Sequence, residues 1–337
     1  MNKRIDLRSD TLTLPSLQMK EIMFNAPLGD DVYSEDPSVN FLEEKMAHLT
    51  HKEAALFTSS GTQANLLALL SSCQRGDEYL CGQESHIYKY EAGGGAVLGS
   101  IQPQPIDYND DATFDLELLK SKIKPHDSHF ARTKLLCIEN THNGKVLPMK
   151  YLQEVNTFAL DNHLLLHLDG ARVFNAAVSL GLEISQISQY VDSLSICLSK
   201  GLGAPVGSIL VGSNAFIKEA RRYRKMLGGG LRQAGSLAAA GSFAIDNHID
   251  DLKKDHLLAS QLKNELEKIK EIEIISNDTN MVFIKVDKKY EEKLLIFLKE
   301  RNIFISGYSK LRLVTHRDIS KEDINTVVEA FNEFFDK

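Results

Sequence analysis

The sequence is poor in several residue types, and each shortage excludes a class of protein. It contains no tryptophan, and its four cysteines lie far apart without a C-x-x-C pair. This spacing favours buried free thiols over disulfide bonds or a zinc site. No run reaches about 18 apolar residues, and the N-terminus has no apolar signal segment, which predicts a soluble, cytoplasmic protein without a membrane partner.

The charge balance excludes a further class of partner. The 46 acidic and 39 basic residues give a net charge of −7, and the basic residues form no stripe along the chain. Proteins that bind nucleic acid usually carry such a stripe, so we predict no nucleic-acid partner. No metal site is predicted either.

Apolar runs alternate with helix-period segments over residues 52–212, which predicts an α/β sheet. A chain of 337 residues, 43% of them hydrophobic, can bury a large core and a smaller second one. We predict a large domain over residues 1–247, with an N-terminal arm over about 1–25, and a small α+β domain over 248–337. The predicted strands of the large domain cover residues 54–57, 78–81, 135–138, 164–168, 194–198 and 208–211.

Two of these strands are followed by a charged residue, one acidic and one basic. The run 164–168 is followed by Asp169, and the run 194–198 is followed by Ser199 and Lys200. Parallel strands that end at the same edge of a sheet would place Asp169 and Lys200 close together. Pyridoxal phosphate requires this pair, because a lysine forms the Schiff base and a carboxylate keeps the pyridine nitrogen protonated.

A second feature fits the phosphate of that cofactor. Ser60, Gly61 and Thr62 connect the strand at 54–57 to a predicted helix. The first turn of a helix offers free N–H groups and the positive end of the helix dipole, which together bind phosphate. A simple serine N-cap would explain the turn alone about as well, and no P-loop motif occurs.

Other polar residues follow or lie within apolar segments. His86 follows the strand at 78–81, where an imidazole could stack on a flat ring or move protons, although a surface histidine is the simpler interpretation. Arg172 and Arg312 are candidates for gripping a substrate carboxylate with the guanidinium fork, and a structural ion pair is the alternative for each. The glycine runs 93–95 and 228–230 do not match a dinucleotide-binding motif.

Several motifs together resemble the low-specificity L-threonine aldolase family, over about residues 4–320. They are IDLRSDT at 5–11, GDDVY at 29–33, SGTQAN at 60–65, ENTHNGKV at 139–146, DGAR at 169–172, SKGLGAPVGS at 199–208 and GGGLRQAG at 228–235. The resemblance implies an aspartate-aminotransferase-like fold (pyridoxal phosphate fold type I), with a large mixed sheet and a small C-terminal α+β domain. It also implies a homotetramer with active sites at dimer interfaces.

The resemblance implies how the cofactor is held. Lys200 would be the Schiff-base lysine and Asp169 the partner of the pyridine nitrogen. His86 would stack on one face of the cofactor ring and Ala171 would lie on the other. The phosphate would be held by a group of four residues, which are Ser60, Gly61, Thr62 and, from a neighbouring subunit, Arg232.

The resemblance also implies how a β-hydroxy-α-amino acid substrate is bound. Its carboxylate would be held by Ser9, Arg172 and Arg312. His129 would act as a second active-site histidine near the substrate hydroxyl. Tyr33 and Tyr90 would border the pocket, and Glu91 would be the acidic residue near the base.

The implied reaction is cleavage of L-threonine and L-allo-threonine to glycine and acetaldehyde. The general base stays open among His86, His129 and a water that they position. A β-eliminating lyase or an enzyme like serine hydroxymethyltransferase is the alternative within the same fold. A non-catalytic cofactor-binding protein is the alternative from another class, but it would have no need for Arg172, Arg312 and His129.

Overall fold

The computed structural model describes residues 3–308 and 310–336. The strands are β1 (Ile5–Asp6), β2 (Ala54–Thr58), β3 (Asp77–Gly82), β4 (Gln102–Ile106), β5 (Arg132–Glu139), β6 (Leu165–Asp169), β7 (Ser193–Cys197), β8 (Ser208–Gly212), β9 (Glu273–Asp278), β10 (Met281–Lys285), β11 (Ile303–Phe304), β12 (Ser306–Tyr308) and β13 (Lys310–Val314).

Helices pack on the sheets or connect their strands. They are α1 (Leu17–Asn25), α2 (Pro37–Thr50), α3 (Gly61–Ser72), α4 (His86–Lys89), α5 (Gly94–Gly99), α6 (Leu116–Lys122), α7 (Met149–Asp161), α8 (Val173–Leu180), α9 (Ile184–Ser188), α10 (Asn214–Met226), α11 (Gly235–Asn247), α12 (Asp251–Leu266), α13 (Lys288–Glu300) and α14 (Lys321–Phe335). Two short 3-10 turns, Asp10–Leu12 and Asp31–Tyr33, lie in the N-terminal segment.

The large sheet has seven strands in the order β2-β8-β7-β6-β5-β3-β4. Strands β7, β6, β5, β3 and β4 are mutually parallel, and β8 is antiparallel to both of its neighbours, β2 and β7. Strands β3, β7 and β8 are buried along their whole length, as expected for a sheet covered on both faces. The predicted α/β architecture with a mixed sheet is confirmed.

The C-terminal segment forms a smaller antiparallel sheet in the order β12-β13-β10-β9. Its core contains side chains of α12, α13 and α14, and it also contains Ile5 and Leu7 from the start of the chain. Those residues belong there because β1 pairs with β11, about 300 residues later in the sequence. The predicted boundary near residue 247 stays a prediction, and the structure adds that residues 5–7 pack with the C-terminal segment.

Two consequences of the fold matter for the site. Since β8 reverses direction between β2 and β7, the carboxyl ends of β2, β3, β5, β6 and β7 all lie at one edge of the large sheet. The small sheet contributes Arg312 from β13, whose Nη2 donates a hydrogen bond to the Arg8 carbonyl. Within the described part of the chain, no helix is long and apolar enough to cross a membrane.

Candidate active site

The carboxyl edge of the large sheet collects the polar residues that the sequence singles out. Asp169 is the last residue of β6 and pairs in register with Ser195 of β7. Lys200 follows three residues after β7 ends at Cys197, and it lines a small cavity together with Ala171. His86 begins α4, shortly after β3 ends. The strand ends therefore bring Asp169, Lys200 and His86 to one edge, as parallel strands require.

The turn between β2 and α3 lies at the same edge. Ser60 caps α3, and its Oγ accepts a hydrogen bond of 3.1 Å from the Gln63 backbone N–H. Gly61 begins the helix against the end of β7, because a Cβ on this residue would lie 2.7 Å from the Cys197 Sγ. The first helical N–H groups therefore lie close to the strand that leads to Lys200, where a phosphate could be bound.

Asp169 is a buried carboxylate, with 3% of its surface exposed. Its Oδ1 accepts a hydrogen bond of 3.0 Å from the Ala171 N–H, and its Oδ2 accepts one of 2.7 Å from the Asn65 side chain. Among the residues that the structure describes, no lysine or arginine forms an ion pair with it. A buried carboxylate without a cationic partner is costly, so this one suits a cationic ligand group.

His86 forms a pair with Glu91 on the same side of the site. The His86 Nδ1 lies 2.7 Å from the Glu91 Oε1, and the His86 backbone N–H donates to Glu139 at 2.9 Å. The hydrogen bond that the His86 ring donates to the Glu91 carboxylate raises the pKa of His86 above its usual value. Burial raises the pKa of Glu91 as well, so this pair holds a proton between an imidazole and a buried carboxyl.

The Arg172 guanidinium forms an ion pair with Asp10, an acidic residue to which the sequence assigned no role. Its Nε and Nη2 donate to the two carboxylate oxygens of Asp10 at 2.8 and 2.6 Å. Burial alone would raise the pKa of Asp10, but the Arg172 charge outweighs it and holds that pKa well below its usual range. Two of the donors that the sequence assigned to a substrate carboxylate are therefore used within the protein, and that role of Arg172 stays a prediction.

Arg312 has more donors available. Its Nη2 donates to the Arg8 carbonyl at 2.8 Å, and its buried Nε has no hydrogen-bond partner among the residues described. Burial, followed by the nearby charge of Arg172, lowers the pKa of Arg312. Ser9 lies in the same N-terminal segment as Arg8, and its Oγ accepts hydrogen bonds from Thr11. Arg312 is thus the better candidate of the two arginines for binding an anion.

The structure does not bring His129 to this edge within one chain. His129 precedes β5, at the amino end of a strand of eight residues whose length is about 23 Å, whereas Asp169 pairs with Glu139 at the carboxyl end. The His129 ring contacts Asp127 at 2.6 Å, and its side chain is 81% exposed. Because β5 separates the two positions, a role for His129 beside the substrate hydroxyl stays a prediction that requires a second copy of the chain.

Three other predicted site residues are exposed. Tyr90 is 61% exposed, and its ring centroid lies 5.9 Å from that of His86. Tyr33 is 72% exposed in a 3-10 turn. Arg232 donates to Asp30 at 2.9 Å and is half exposed. Tyr90 borders the His86 side of the site, and the roles of Tyr33 and Arg232 stay predictions.

Asn65 and Asp10 are the residues that sequence reasoning missed. Both are buried, and both contact a predicted site residue directly. A signal existed for Asn65, because a polar side chain inside an otherwise apolar helix needs a buried partner. Asp10 lies in the motif IDLRSDT, but the sequence assigned it no role, since its partner Arg172 is 162 positions away.

A cavity of about 450 Å³ lies next to the site, between the large sheet and the small sheet. His142 lines it and contacts Glu139 at 3.0 Å, and Glu139 in turn accepts the His86 backbone N–H. Phe283, which pairs in register with Arg312, also lines the cavity. The cavity is therefore lined by neighbours of His86 and Arg312 rather than by these two residues themselves.

These residues fit pyridoxal phosphate. The buried Asp169 lacks a lysine or arginine partner among the described residues, as a carboxylate that faces a protonated pyridine nitrogen would, and the N–H groups at the close-packed start of α3 could bind a phosphate. Lys200 lies at the same edge, in the cavity that Ala171 also lines. The donor set thus offers a place for the ring nitrogen, the phosphate and the aldehyde of the cofactor.

The comparisons with known proteins agree with this geometry. The family model described as beta-eliminating lyase matches residues 6–289. The low specificity L-threonine aldolase of Escherichia coli K12 is 53% identical over 330 residues, which cover 98% of this chain and 99% of that protein. The low-specificity L-threonine aldolase 1 of Arabidopsis thaliana is 40% identical over 344 residues, covering 98% and 96% of the two chains.

A solved structure confirms the fold. The threonine aldolase of Leishmania major superposes with a TM-score of 0.85 at 20% identity, covering 98% of this chain and 99% of that one. At this identity the likeness concerns the fold alone, and it confirms the predicted fold type. On the full-length sequence similarity, the chain belongs to the beta-eliminating lyase family and, within it, to the low-specificity L-threonine aldolases.

Proposed function

We propose that this protein is a pyridoxal phosphate-dependent lyase that cleaves L-threonine and L-allo-threonine to glycine and acetaldehyde. The observation that carries the proposal is the buried carboxylate of Asp169, without a lysine or arginine partner in the described part of the chain, on the strand beside the one that leads to Lys200. The 53% identity to an L-threonine aldolase over nearly the whole chain supports the same activity.

When bound, pyridoxal phosphate would supply an electron sink for the pair released as the Cα–Cβ bond of the substrate breaks. Asp169 would hold a proton on the ring nitrogen, because its carboxylate is buried and oriented by two hydrogen bonds. Lys200 would hold the cofactor through its Nζ. The N–H groups at the start of α3 would bind the phosphate.

Arg312 binds the substrate carboxylate in this proposal. Its Nε, without a partner among the described residues, and its position near Arg172 give a positively charged site that an anion would neutralise. Arg172 is itself held in position by Asp10. Ser9 lies next to Arg8, whose carbonyl accepts a hydrogen bond from Arg312.

The general base is His86 or a water that it positions. The His86 Nε2 has no hydrogen-bond partner among residues 3–308 and 310–336, whereas its Nδ1 is fixed by Glu91. A base at this place can accept the β-hydroxyl proton, and the same group can return a proton to Cα. His129 stays a second candidate only if another copy of the chain supplies it.

We infer that the working form is a homotetramer with sites at dimer interfaces. The exposed positions of His129 and Arg232 support this, because exposed side chains can reach the site of a neighbouring copy. Large apolar side chains on α1 and α2 are also exposed, among them Phe24 and Phe41. A cytoplasmic location is part of the same proposal.

The test is aldehyde release from L-threonine and from L-allo-threonine by the cofactor-loaded protein. We expect release from both, and we expect Lys200→Ala to abolish release together with the visible absorption band of the lysine-bound cofactor. Lys218→Ala, at an exposed position on α10, is the matched control and should behave like wild type. Turnover by Lys200→Ala at the wild-type rate would refute the role of Lys200.

The same assay separates the alternatives. Formation of glycine from serine only when tetrahydrofolate is present to take up the one-carbon unit would favour an enzyme like serine hydroxymethyltransferase. Pyruvate and ammonia formation without aldehyde would favour a β-eliminating lyase. Cofactor binding without any of these products would favour the interpretation as a non-catalytic cofactor-binding protein.

A further inference from the structure

We propose that Asn65 is a positioning residue of this site, whose side-chain amide holds Asp169 and the Glu91–His86 pair in one hydrogen-bond network. The carboxylate for the ring nitrogen and the histidine beside the substrate are thereby oriented by a single side chain. This inference rests on the proposed function and adds a residue that the sequence did not single out.

All hydrogen-bonding capacity of the Asn65 amide is used. Its Nδ2 donates to the Glu91 Oε1 at 2.8 Å and to the Asp169 Oδ2 at 2.7 Å. Its Oδ1 accepts from the Ser195 Oγ at 2.7 Å and contacts the His167 Nε2 at 3.2 Å. Since a carboxylate only accepts, the Nδ2 must face the two acids, and the orientation of the amide is fixed.

His167 completes the network from the strands of the large sheet. Burial lowers the pKa of His167 to about 4, so the ring is neutral near pH 7. Because the Asn65 Oδ1 can only accept, the proton of the neutral ring lies on Nε2, and Nδ1 accepts from the Ser193 hydroxyl at 2.9 Å. The Asn65 oxygen is therefore fixed by His167 of β6 and Ser195 of β7, while its nitrogen donates to the two acids.

The helix itself gives no reason for an asparagine here. Position 65 lies in α3, where Ala64, Leu67 and Ala68 are buried apolar neighbours. Asparagine is a weaker helix former than leucine, because its side chain competes for backbone hydrogen bonds. A buried amide at such a position has to find partners, and the two that Asn65 donates to are both acids of the site.

The Asn65 amide lies among charged groups, and its effect follows from their arrangement. One nitrogen or oxygen atom from each of His86, Glu91 and Asp169 lies within 4.8 Å of the others. Glu91 is hydrogen-bonded to the imidazole, and Asp169 acts on it through its charge. Glu139, at the His86 backbone N–H, and Lys200 also face this cluster. An N–H donated to each acid stabilises both carboxylates at once, which keeps the Glu91 charge beside His86.

The test compares Asn65→Leu with Ser195→Ala in the cofactor-loaded protein. Asn65→Leu removes both donors, while Ser195→Ala removes only one hydrogen bond that orients the amide. Asn156→Leu is the matched control, because Asn156 lies on α7 and donates to the Tyr190 carbonyl, away from the site. The readouts are the His86 pKa by NMR of labelled histidine, assigned with His86→Gln, and kcat against KM.

Without the Asn65 donor the Glu91 carboxylate is stabilised less and binds a proton more readily, so it favours the charged form of His86 less and the His86 pKa falls. We expect a fall of about 0.5–1 pH unit in Asn65→Leu, the size that loss of one or two net hydrogen bonds produces, and a smaller fall in Ser195→Ala. The value of kcat should fall more than KM rises, and Asn156→Leu should change neither. An unchanged His86 pKa and kcat in a folded Asn65→Leu protein would overturn the proposal.

Two outcomes keep the test decisive. If Asn65→Leu does not fold, Ser195→Ala decides, because a serine-to-alanine change leaves the packing intact, and an unshifted His86 pKa there overturns the proposal. If wild type releases no aldehyde, the proposed function fails, but the His86 pKa still reports whether Asn65 sets the pair.

Discussion

Arg172 and Arg312 lie close together at the edge of the site, and their partners differ. The Asp10 carboxylate accepts two hydrogen bonds from Arg172, which leaves that guanidinium largely neutralised. Arg312 donates to a backbone carbonyl through Nη2 and keeps a buried Nε without a partner among the described residues. Burying an unpaired cation is costly, so an anionic ligand would gain most at Arg312.

Asp255 is a second buried acid near the site. Its Oδ2 has no hydrogen-bond partner among the described residues, and it lies 3.8 Å from where a Cβ on Gly201 would stand. Burial, followed by the charge of Asp10, raises the pKa of Asp255 to about 8. The neutral acid is therefore the form that the folded protein favours.

The raised pKa makes the free energy of unfolding depend on pH. Between the ordinary value of 3.8 and about 8, the unfolded chain releases a proton that the folded chain keeps. The stability contribution is thus complete below about pH 4 and is lost as the pH rises toward 8. We expect Asp255→Asn to reduce the fall in Tm between pH 5 and pH 8, measured by thermal denaturation.

The control for this experiment is Asp161→Asn, at an exposed position at the end of α7. It should leave the pH dependence of Tm as in wild type. If Asp255→Asn and wild type lose the same Tm over this range, Asp255 does not titrate as described.

At the scale of elements, the contact between the start of α3 and the end of β7 is tight. A Cβ on Gly61 would lie 2.7 Å from the Cys197 Sγ, closer than two such atoms approach. We expect Gly61→Ala to displace the helix start and to weaken cofactor retention about tenfold or more, measured by dialysis and visible absorption. The physical cause is a change in the position of the phosphate-binding N–H groups.

A double variant tests that cause. Cys197→Ala removes the sulfur that the new methyl group would meet, so Gly61→Ala combined with Cys197→Ala should retain the cofactor better than Gly61→Ala alone. Equal losses in the single and double variants would show that the contact with Cys197 is not responsible.

The strands of the large sheet were predictable because their signal is local. All six predicted strands occur, as β2, β3, β5, β6, β7 and β8, each within a few residues of its predicted bounds. Strand β4 was missed because its sequence, QPQPI, contains two prolines, which are tolerated only at an edge such as the one where β4 lies. Short α4 and α5 lack the length that a helical period needs.

The site was predictable where it follows strand ends and unpredictable where it depends on distant pairs. Asp169, Lys200 and His86 each follow an apolar run, so the sequence places them at one edge. The bond between Arg172 and Asp10 joins residues far apart in sequence, and no local pattern indicates it. The position of His129 was equally hard to predict, since its distance from the site depends on the length of β5.

At the scale of the whole molecule, exposed apolar side chains mark the face formed by α1 and α2. Phe24 is 89% exposed and Phe41 is 55% exposed. We expect the wild-type protein to sediment as an assembly larger than a monomer and Phe24→Asp to shift it toward smaller species, measured by analytical ultracentrifugation. A charge in a buried contact costs more than the loss of the ring alone.

Leu160→Asp is the control for that variant. Leu160 is 66% exposed on α7, outside the face of α1 and α2. Its replacement should leave the sedimentation unchanged. A wild-type protein that sediments as a monomer at assay concentrations would contradict the proposed assembly.

The pairing of β1 with β11 has a consequence for biosynthesis. Residues 5–7 leave the ribosome long before their partners at 303–304 and before Val314, whose N–H donates to the Leu7 carbonyl. The segment that carries Asp10 can therefore take its final place only after residue 314 has been translated. A nascent chain that is shorter than this lacks the contacts that fix the segment of Asp10, the partner of Arg172.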